Sequence, residues 1–253
     1  MTTLHSSALT ILDVAGHQGT WVIAGLVTVA FTVLARMVRG VTNSGALAGA
    51  FSCFVLYIGG GPGAFAGLIT VFALAWITTR LGYARKQKLG TAERREGRKA
   101  SQVLANLGVA TGCAAASIVS HNRALFLLAM AAALSEAAAD TVSSEVGQAF
   151  REQARLVTTW RAVPAGTDGG VSLIGSAAGI AAAGVVSAVC LFGGLLPLRW
   201  LAISIGTAVL GMIADSFLGA GLERRGLVNN DLVNFLGTLT AAAAAVWLAR
   251  IHL

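Results

Sequence analysis

The chain has 253 residues, 56% of them hydrophobic and only 11% charged, with a formal net charge of +7 and a mean hydropathy of +0.76. Soluble domains carry about a quarter of their residues as Asp, Glu, Lys or Arg. The composition therefore excludes an ordinary soluble domain and points to an integral membrane protein, in which the basic balance is read loop by loop and not as a sign of nucleic-acid binding.

In chain order, residues 1–18 form a short, mixed N-terminal segment without the Lys/Arg-rich start of a signal peptide. The remainder, 19–253, is expected to be a single all-α, polytopic membrane domain of about eight transmembrane helices. The apolar spans fall at 19–36, 44–60, 63–81, 104–120, 124–141, 171–192, 199–217 and 232–250. Gly59-Gly60-Gly61-Pro62-Gly63 reads as a tight turn from the second span into the third. Cys53, Cys113 and Cys190 lie in apolar runs without CxxC spacing, as buried small residues and neither a disulfide framework nor a zinc site.

Placing the N-terminus outside leaves Arg123, Arg199 and Arg250 as the outer cations and puts 15 of the 18 Lys and Arg on the other side. The positive-inside rule then sets both termini outside, with cytoplasmic active-site loops at 82–103, 142–170 and 218–231. Trp21, Trp200 and Trp247 fall near the outer interface, as an aromatic belt does. His5, His17, His121 and His252 fall outside as well, whereas Asp13 is the lone outer residue among the 11 carboxylates. An active site is therefore expected to use carboxylates and to open to the cytoplasm.

Four stretches carry polar groups to inner span ends. Arg98, Gln102 and Asn106 share one helix face, with Lys99 beside it. The amides serve either a ligand or a neighbouring helix. In S-E-A-A-A-D-T-V-S-S-E-V-G (135–147), Glu136 and Asp140 stand at i and i+4, and Ser143, Ser144 and Gly147 continue their face; Glu145 is expected to point about 140° away. A carboxylate one turn inside the membrane costs a few kcal/mol unless partnered, and two together suit a divalent metal; a solvated pair at a loop end is the alternative. In G-T-D-G-G-V-S-L-I-G-S-A-A-G (166–179), Asp168 is expected at a helix N-terminus. There it acts as a cap or as a metal ligand beside phosphate held by Gly166, Thr167, Gly169, Gly170 and Ser172. Gly175, Gly179 and Gly184 suit close helix packing. Asp215 ends the seventh span, and Asn230 and Asn234 open the eighth at i and i+4, a pair that one N-cap does not explain.

These stretches, together with S-Q-V-L-A-N (101–106), D-S-F-L-G-A (215–220) and N-N-D-L-V-N-F (229–235), are similar in type and order to the signatures of one membrane family. That family includes the plant phytyl-phosphate kinase of tocopherol synthesis and the animal transmembrane protein nineteen. It is distantly similar to CTP-dependent phytol and dolichol kinases and to phosphatidate cytidylyltransferases. The resemblance spans about residues 40–240, and departs at Leu107-Gly108, where members often carry Gly-Gly. It implies a Mg²⁺-dependent phosphotransferase that moves a phosphoryl group from CTP, or another nucleoside triphosphate, to an isoprenoid (phytyl or prenyl) monophosphate. Asp168, Asp140 and Glu136 then hold the metal. The glycine loop, Arg98, Lys99, Gln102, Asn106, Ser144, Asp215, Asn230 and Asn234 line the nucleotide and phosphate site. The implied partners are a prenyl-phosphate lipid, a nucleotide and membrane lipids, with no nucleic acid; oligomerisation stays open. The alternatives are a prenyl alcohol kinase, a lipid cytidylyltransferase and, in a different class, an ion-coupled transporter.

Overall fold

The computed structural model describes residues 2–150 and 153–251, with side chains from Gly19 onward. The side chains of 1–18, including His5, Asp13 and His17, and the residues Arg151, Glu152, His252 and Leu253 lie outside the described residues. Among the described residues, seven helices are long and apolar enough to cross a membrane. They are α1 (Thr2–Met37), α2 (Asn43–Arg80), α4 (Ala100–Val119), α5 (Arg123–Ala149), α6 (Leu173–Phe192), α7 (Leu201–Leu218) and α8 (Asn230–Ile251). The short α3 (Tyr83–Leu89) lies between α2 and α4.

Seven helices and eight expected spans meet in α2. A straight helix of its 38 residues would run about 57 Å, nearly twice the hydrocarbon thickness. Instead the backbone leaves the helical region at Gly61 (φ 65, ψ −157), immediately before Pro62. A side chain is disfavoured at that φ and proline cannot continue the helix, so the five-residue Gly/Pro run is what permits the turn. The two halves fold back on each other. Trp76 Nε1 and Arg80 Nη2 near the end of α2 donate to Val38 O, just before its start, at 3.1 and 2.7 Å. The turn frees carbonyls, and Gly59 O is satisfied by Ser117 Oγ at 3.1 Å and Arg123 Nη2 at 2.8 Å.

α5 is the axis of the bundle and packs against α2, α4, α6, α7 and α8. Its Ala129, Ala131–Ala133 and Ala137–Ala139 are buried on every side. Alanine is a strong helix former and lets neighbouring backbones approach closely, which suits a helix surrounded by others. Hydroxyls cross-link the buried interior: Ser135 Oγ to Ser187 Oγ at 2.8 Å and Ser187 Oγ to Ser204 Oγ at 2.9 Å join α5, α6 and α7. Gly175 and Gly179 of α6 face α5, where an added Cβ would come within 2.6 Å of Ser143 O and 2.7 Å of Ala139 O. Gly184, expected to do the same, meets nothing within 4 Å. Of the expected tryptophan belt, Trp21 and Trp247 are exposed but Trp200 is buried, with the Arg199 guanidinium over its ring.

The loops at the 82–99 end of the bundle hold more structure than the apolar pattern predicts. α5 continues eight residues past the expected span end, so 142–149 is helix and not loop. Beyond it lies a small antiparallel sheet in the order β2–β1–β3, formed by β1 (Ala154–Leu156), β2 (Ala162–Val163) and β3 (Gly170–Val171). These strands are too short for an alternating pattern to announce them. The loop after α7 begins as a π-turn, Gly219–Glu223.

Candidate functional site

At the end of the bundle that carries the 82–99, 153–172 and 219–229 connections, side chains from α4, α5, α7, α8 and the sheet loop surround one cavity of about 400 Å³. α5 supplies Asp140, Ser143, Ser144 and Gly147, as its i, i+4 spacing predicts. α4 presents Gln102 and Asn106, with Arg98 two residues before the helix. Asp215 comes from α7 and Asn230 and Asn234 from α8. The loop before α6 closes the ring with Gly166, Thr167, Asp168, Gly169, Gly170 and Ser172. Elements far apart in sequence thus converge on one volume.

Two expected site residues stand elsewhere. Lys99 is exposed and does not line the cavity. Glu136 lies one turn beneath it, 1% exposed, in a slot opened by two glycines. A Cβ on Gly211 of α7 would come 2.6 Å from Glu136 Cγ, and one on Gly237 of α8 would come 2.5 Å from Glu136 Oε1. Oε1 has no hydrogen-bond partner. A buried, unpartnered carboxyl oxygen is costly in a membrane interior and marks a site that other forces maintain.

The helix termini are also placed differently. Asp168 is not at the start of α6. Ser172 is the N-cap, and its Oγ accepts from Gly175 N at 3.1 Å. Asp168 instead occupies the turn between β2 and β3 and is exposed at the mouth. Gly170 N already donates to Thr167 O at 2.8 Å. Gly169 has φ +71, and a Cβ there would meet Ala220 at 2.4 Å, so glycine lets this loop press against the end of α7. On α8 the cap is Asn229, whose Oδ1 accepts from Leu232 N at 3.0 Å, leaving both Asn230 and Asn234 to the cavity. With its amide oriented to satisfy the surrounding acceptors, Asn234 donates to Asp215 Oδ2 and to Asn230 O, each at 3.3 Å.

The amides of α4 are tied into the wall. Gln102 Oε1 accepts from Lys99 N at 2.9 Å, which closes the first turn of its own helix, while Nε2 donates to Glu93 Oε2 at 3.0 Å. Asn106 Nδ2 donates to Gln102 O at 2.9 Å. The Arg98 backbone is pinned to the α1–α2 link, with N to Gly40 O at 3.1 Å and O accepting from Thr42 N at 3.0 Å. This fixes the base of the arginine, and its guanidinium lies within electrostatic reach of Asp140.

Sequence reasoning missed three acids of the wall: Glu93, Glu145 and Glu223. Glu93 sits in a basic stretch that reads as solvated surface. Glu223 lies beyond the recognisable D-S-F-L-G-A stretch and reaches the cavity through the π-turn. Glu145 does point away from Asp140, but the cavity wraps around the end of α5, and there the carboxylate accepts from Thr79 Oγ1 and pairs with the buried Lys86 Nζ. Among the described residues, six carboxylates, of which Glu145 is paired with Lys86, and one guanidinium, Arg98, therefore line the cavity. Asp140 and Asp215 lie close enough to interact electrostatically, as does Glu223 with Asp140, Asp168 and Asp231. Among the described residues, no three His, Cys, Asp or Glu side chains are close enough to form a metal site by themselves.

The bundle and its cavity define a polytopic membrane protein with an acidic pocket sunk into one end of its helices. The chain belongs to the family described as integral membrane protein DUF92, whose model matches residues 26–242. An uncharacterized membrane protein of Methanocaldococcus jannaschii is 32% identical over 219 residues, covering 85% of this chain and 89% of that relative. The chloroplastic protein VTE6 of Arabidopsis thaliana is 28% identical over 218 residues, which is 83% of this chain and 66% of VTE6. An uncharacterized membrane protein of Synechocystis is 33% identical over 184 residues, or 71% of each chain. No solved structure matches the chain.

Proposed function

We propose that the protein is a membrane-embedded kinase. It transfers the γ-phosphoryl group of a nucleoside triphosphate, CTP by preference, to an isoprenoid monophosphate. The γ-phosphorus bond to the nucleotide breaks, a bond to an acceptor phosphate oxygen forms, and nucleoside diphosphate leaves. The observation that carries this reading is the cavity where the ends of four helices and their connections bring together six described carboxylates, Glu145 among them paired with Lys86, and the Arg98 guanidinium. So acidic a pocket repels phosphate unless a cation stands between them. Mg²⁺ needs only one or two protein carboxylates, the rest of its shell being water and phosphate oxygen. The Asp140–Asp215 pair fits that demand, with Asp168 and Glu223 near by and Glu136 beneath. The ion, when bound, neutralises charge on the transferring group.

The protein's own groups position the reactants. Arg98 and the amides of Gln102 and Asn106 bind phosphate oxygens, Asn230 and Asn234 bound the far wall, and the 166–172 loop covers the mouth. A phosphate acceptor is already ionised, so no strong base is required. The motif resemblance to the family containing phytyl-phosphate kinase supports the substrate class. The unpartnered Glu136 oxygen also suits an ion-coupled carrier. A carrier site must reach both faces, however, and the outer halves of the spans hold almost no ionisable groups.

The charge distribution supports a cytoplasmic site. A cysteine introduced at Lys88 should be labelled only from the cytoplasm and one at Leu198 only from outside; labelling of both from one side overturns this sidedness. The activity test uses purified protein in detergent with Mg²⁺, prenyl monophosphates and CTP labelled at either the α- or the γ-phosphate. Appearance of γ-label in a prenyl diphosphate is expected. Incorporation of the α-label would make it a cytidylyltransferase, and absence of label from lipid would remove the enzyme reading.

A further inference from the structure

A second cavity, of about 270 Å³, lies beside the acidic one and has the opposite character. Its walls are Phe31 and Ala35 of α1 and Leu68, Val71, Phe72 and Ala75 of α2. From Leu68 to Arg80 it follows about 18 Å of helix, at 1.5 Å per residue. Its rim is basic, with Arg39, Arg80, Arg94 and Arg95. Arg80 is held there by bonds to Trp76 O at 3.1 Å and Val38 O at 2.7 Å, with its guanidinium 4.0 Å from the Trp76 ring. Both cavities are bounded by the same four residues, Glu93, Arg98, Gln102 and Asn106.

We infer that this cavity seats the isoprenoid chain of the substrate, with its phosphate passing the Arg98–Gln102–Asn106 wall into the acidic cavity. The inference rests on the kinase reading for the identity of the occupant. A long apolar volume alone accepts any hydrocarbon. A basic rim selects an amphiphile with an anionic head, and a shared wall with a carboxylate-lined cavity places that head where a cation and a nucleotide can meet it. The Glu93–Gln102 hydrogen bond holds the wall in place without filling either side. Arg98, anchored through its backbone to the α1–α2 link that borders the apolar cavity, joins the two volumes.

Gly49 of α2 lines the apolar cavity, and a Cβ there meets nothing within 4 Å. Gly49→Phe therefore places a ring in open space, while Gly49→Ala leaves the space open. The probe is a 20-carbon prenyl monophosphate with a photoactivatable diazirine at the chain end, added to full-length protein in nanodiscs, with the labelled peptides mapped by mass spectrometry. Label on the peptides containing Phe31 or Leu68–Ala75 is expected in the wild type and in Gly49→Ala. Gly49→Phe should reduce it at least about tenfold, since burial of several methylenes is lost. In turnover, Gly49→Phe should raise KM for the 20-carbon acceptor by a similar factor and leave a 5-carbon acceptor unchanged. Label on other helices in the wild type, an equal effect on both acceptors, or displacement by phosphatidic acid but not by unlabelled prenyl monophosphate would overturn the inference. The wild-type map decides even where Gly49→Phe does not fold. A chain seated here without diphosphate formation leaves this site standing and removes the kinase reading; diphosphate formation with the label elsewhere does the reverse.

Discussion

The two ends of the bundle use polar residues in opposite ways. At the Gly61 end, polar groups satisfy local partners: Arg123 and Ser117 bond the carbonyl freed by the α2 turn, and Arg199 lies over Trp200. At the other end, carboxylates from α5, α7 and the loops crowd into one cavity where, among the described residues, Lys86 pairs with Glu145 and Arg98 is the lining cation for the other five. Unpaired charge beside a membrane is expensive. A helix end can be satisfied locally by one arginine, whereas the five acids left after the Glu145–Lys86 pair face one guanidinium and call for something bound. The difference separates stabilising polar groups from those a ligand must complete.

The largest effect should come from the buried ion pair of the acidic end. Lys86 is fully buried and donates to Thr78 O at 2.9 Å, Thr79 O at 2.7 Å and Glu145. Lys86→Ala leaves the Glu145 charge without its cation and removes the side-chain donor to Thr78 O and Thr79 O, and should cost about 3–5 kcal/mol, read as a large fall in Tm in detergent. An unchanged Tm would show that solvent already screens the pair. Next come the cavity acids. Asp140→Asn and Asp168→Asn should lower kcat at least about 100-fold, on the scale of losing one electrostatic stabiliser, with Tm preserved. Normal turnover in both would make them structural like the residues of the opposite end.

A smaller effect is expected at the shared wall. Arg98→Ala combined with Gln102→Ala removes charge-assisted and amide contacts of about 1.5–3 kcal/mol, so KM for the prenyl monophosphate should rise roughly ten- to a hundredfold. The nucleotide KM should move less; an equal shift in both would assign the wall to the nucleotide. The smallest effect on activity should follow Arg123→Ala. It should leave kcat and KM unchanged and cost about 1 kcal/mol of stability, since Gly59 O loses one donor and keeps the Ser117 Oγ bond. Loss of turnover at full stability would contradict the division between the ends.

The apolar spans were legible because hydrocarbon thickness imposes a length on them, and the α2 turn was legible because only Gly and Pro permit it. Asp140, Asp215, Asn234 and Gln102 were legible as polar residues at span ends, where polarity is costly. Residues whose placement depends on the loops were not. Glu93 and Glu223 look solvated until the chain folds over them, and Ser172 replaced Asp168 as the cap because a short β turn, invisible to periodicity, intervenes. Lys86 reads as one more surface base in a basic stretch; only tertiary packing shows that it is buried. The apolar cavity left no trace in any single segment, since its walls come from three helices.

The proposed phosphoryl transfer belongs to the acidic end and not to the Gly61 end. It is tested most directly by mixing γ-labelled CTP, Mg²⁺ and a prenyl monophosphate with excess wild type, Asp140→Asn and Arg123→Ala, and following label into lipid over a single turnover. Label should enter prenyl diphosphate at equal rates in wild type and Arg123→Ala and at least about 100-fold more slowly in Asp140→Asn. Equal rates in all three proteins, or label that enters the free prenyl alcohol while the monophosphate stays inert, would contradict it.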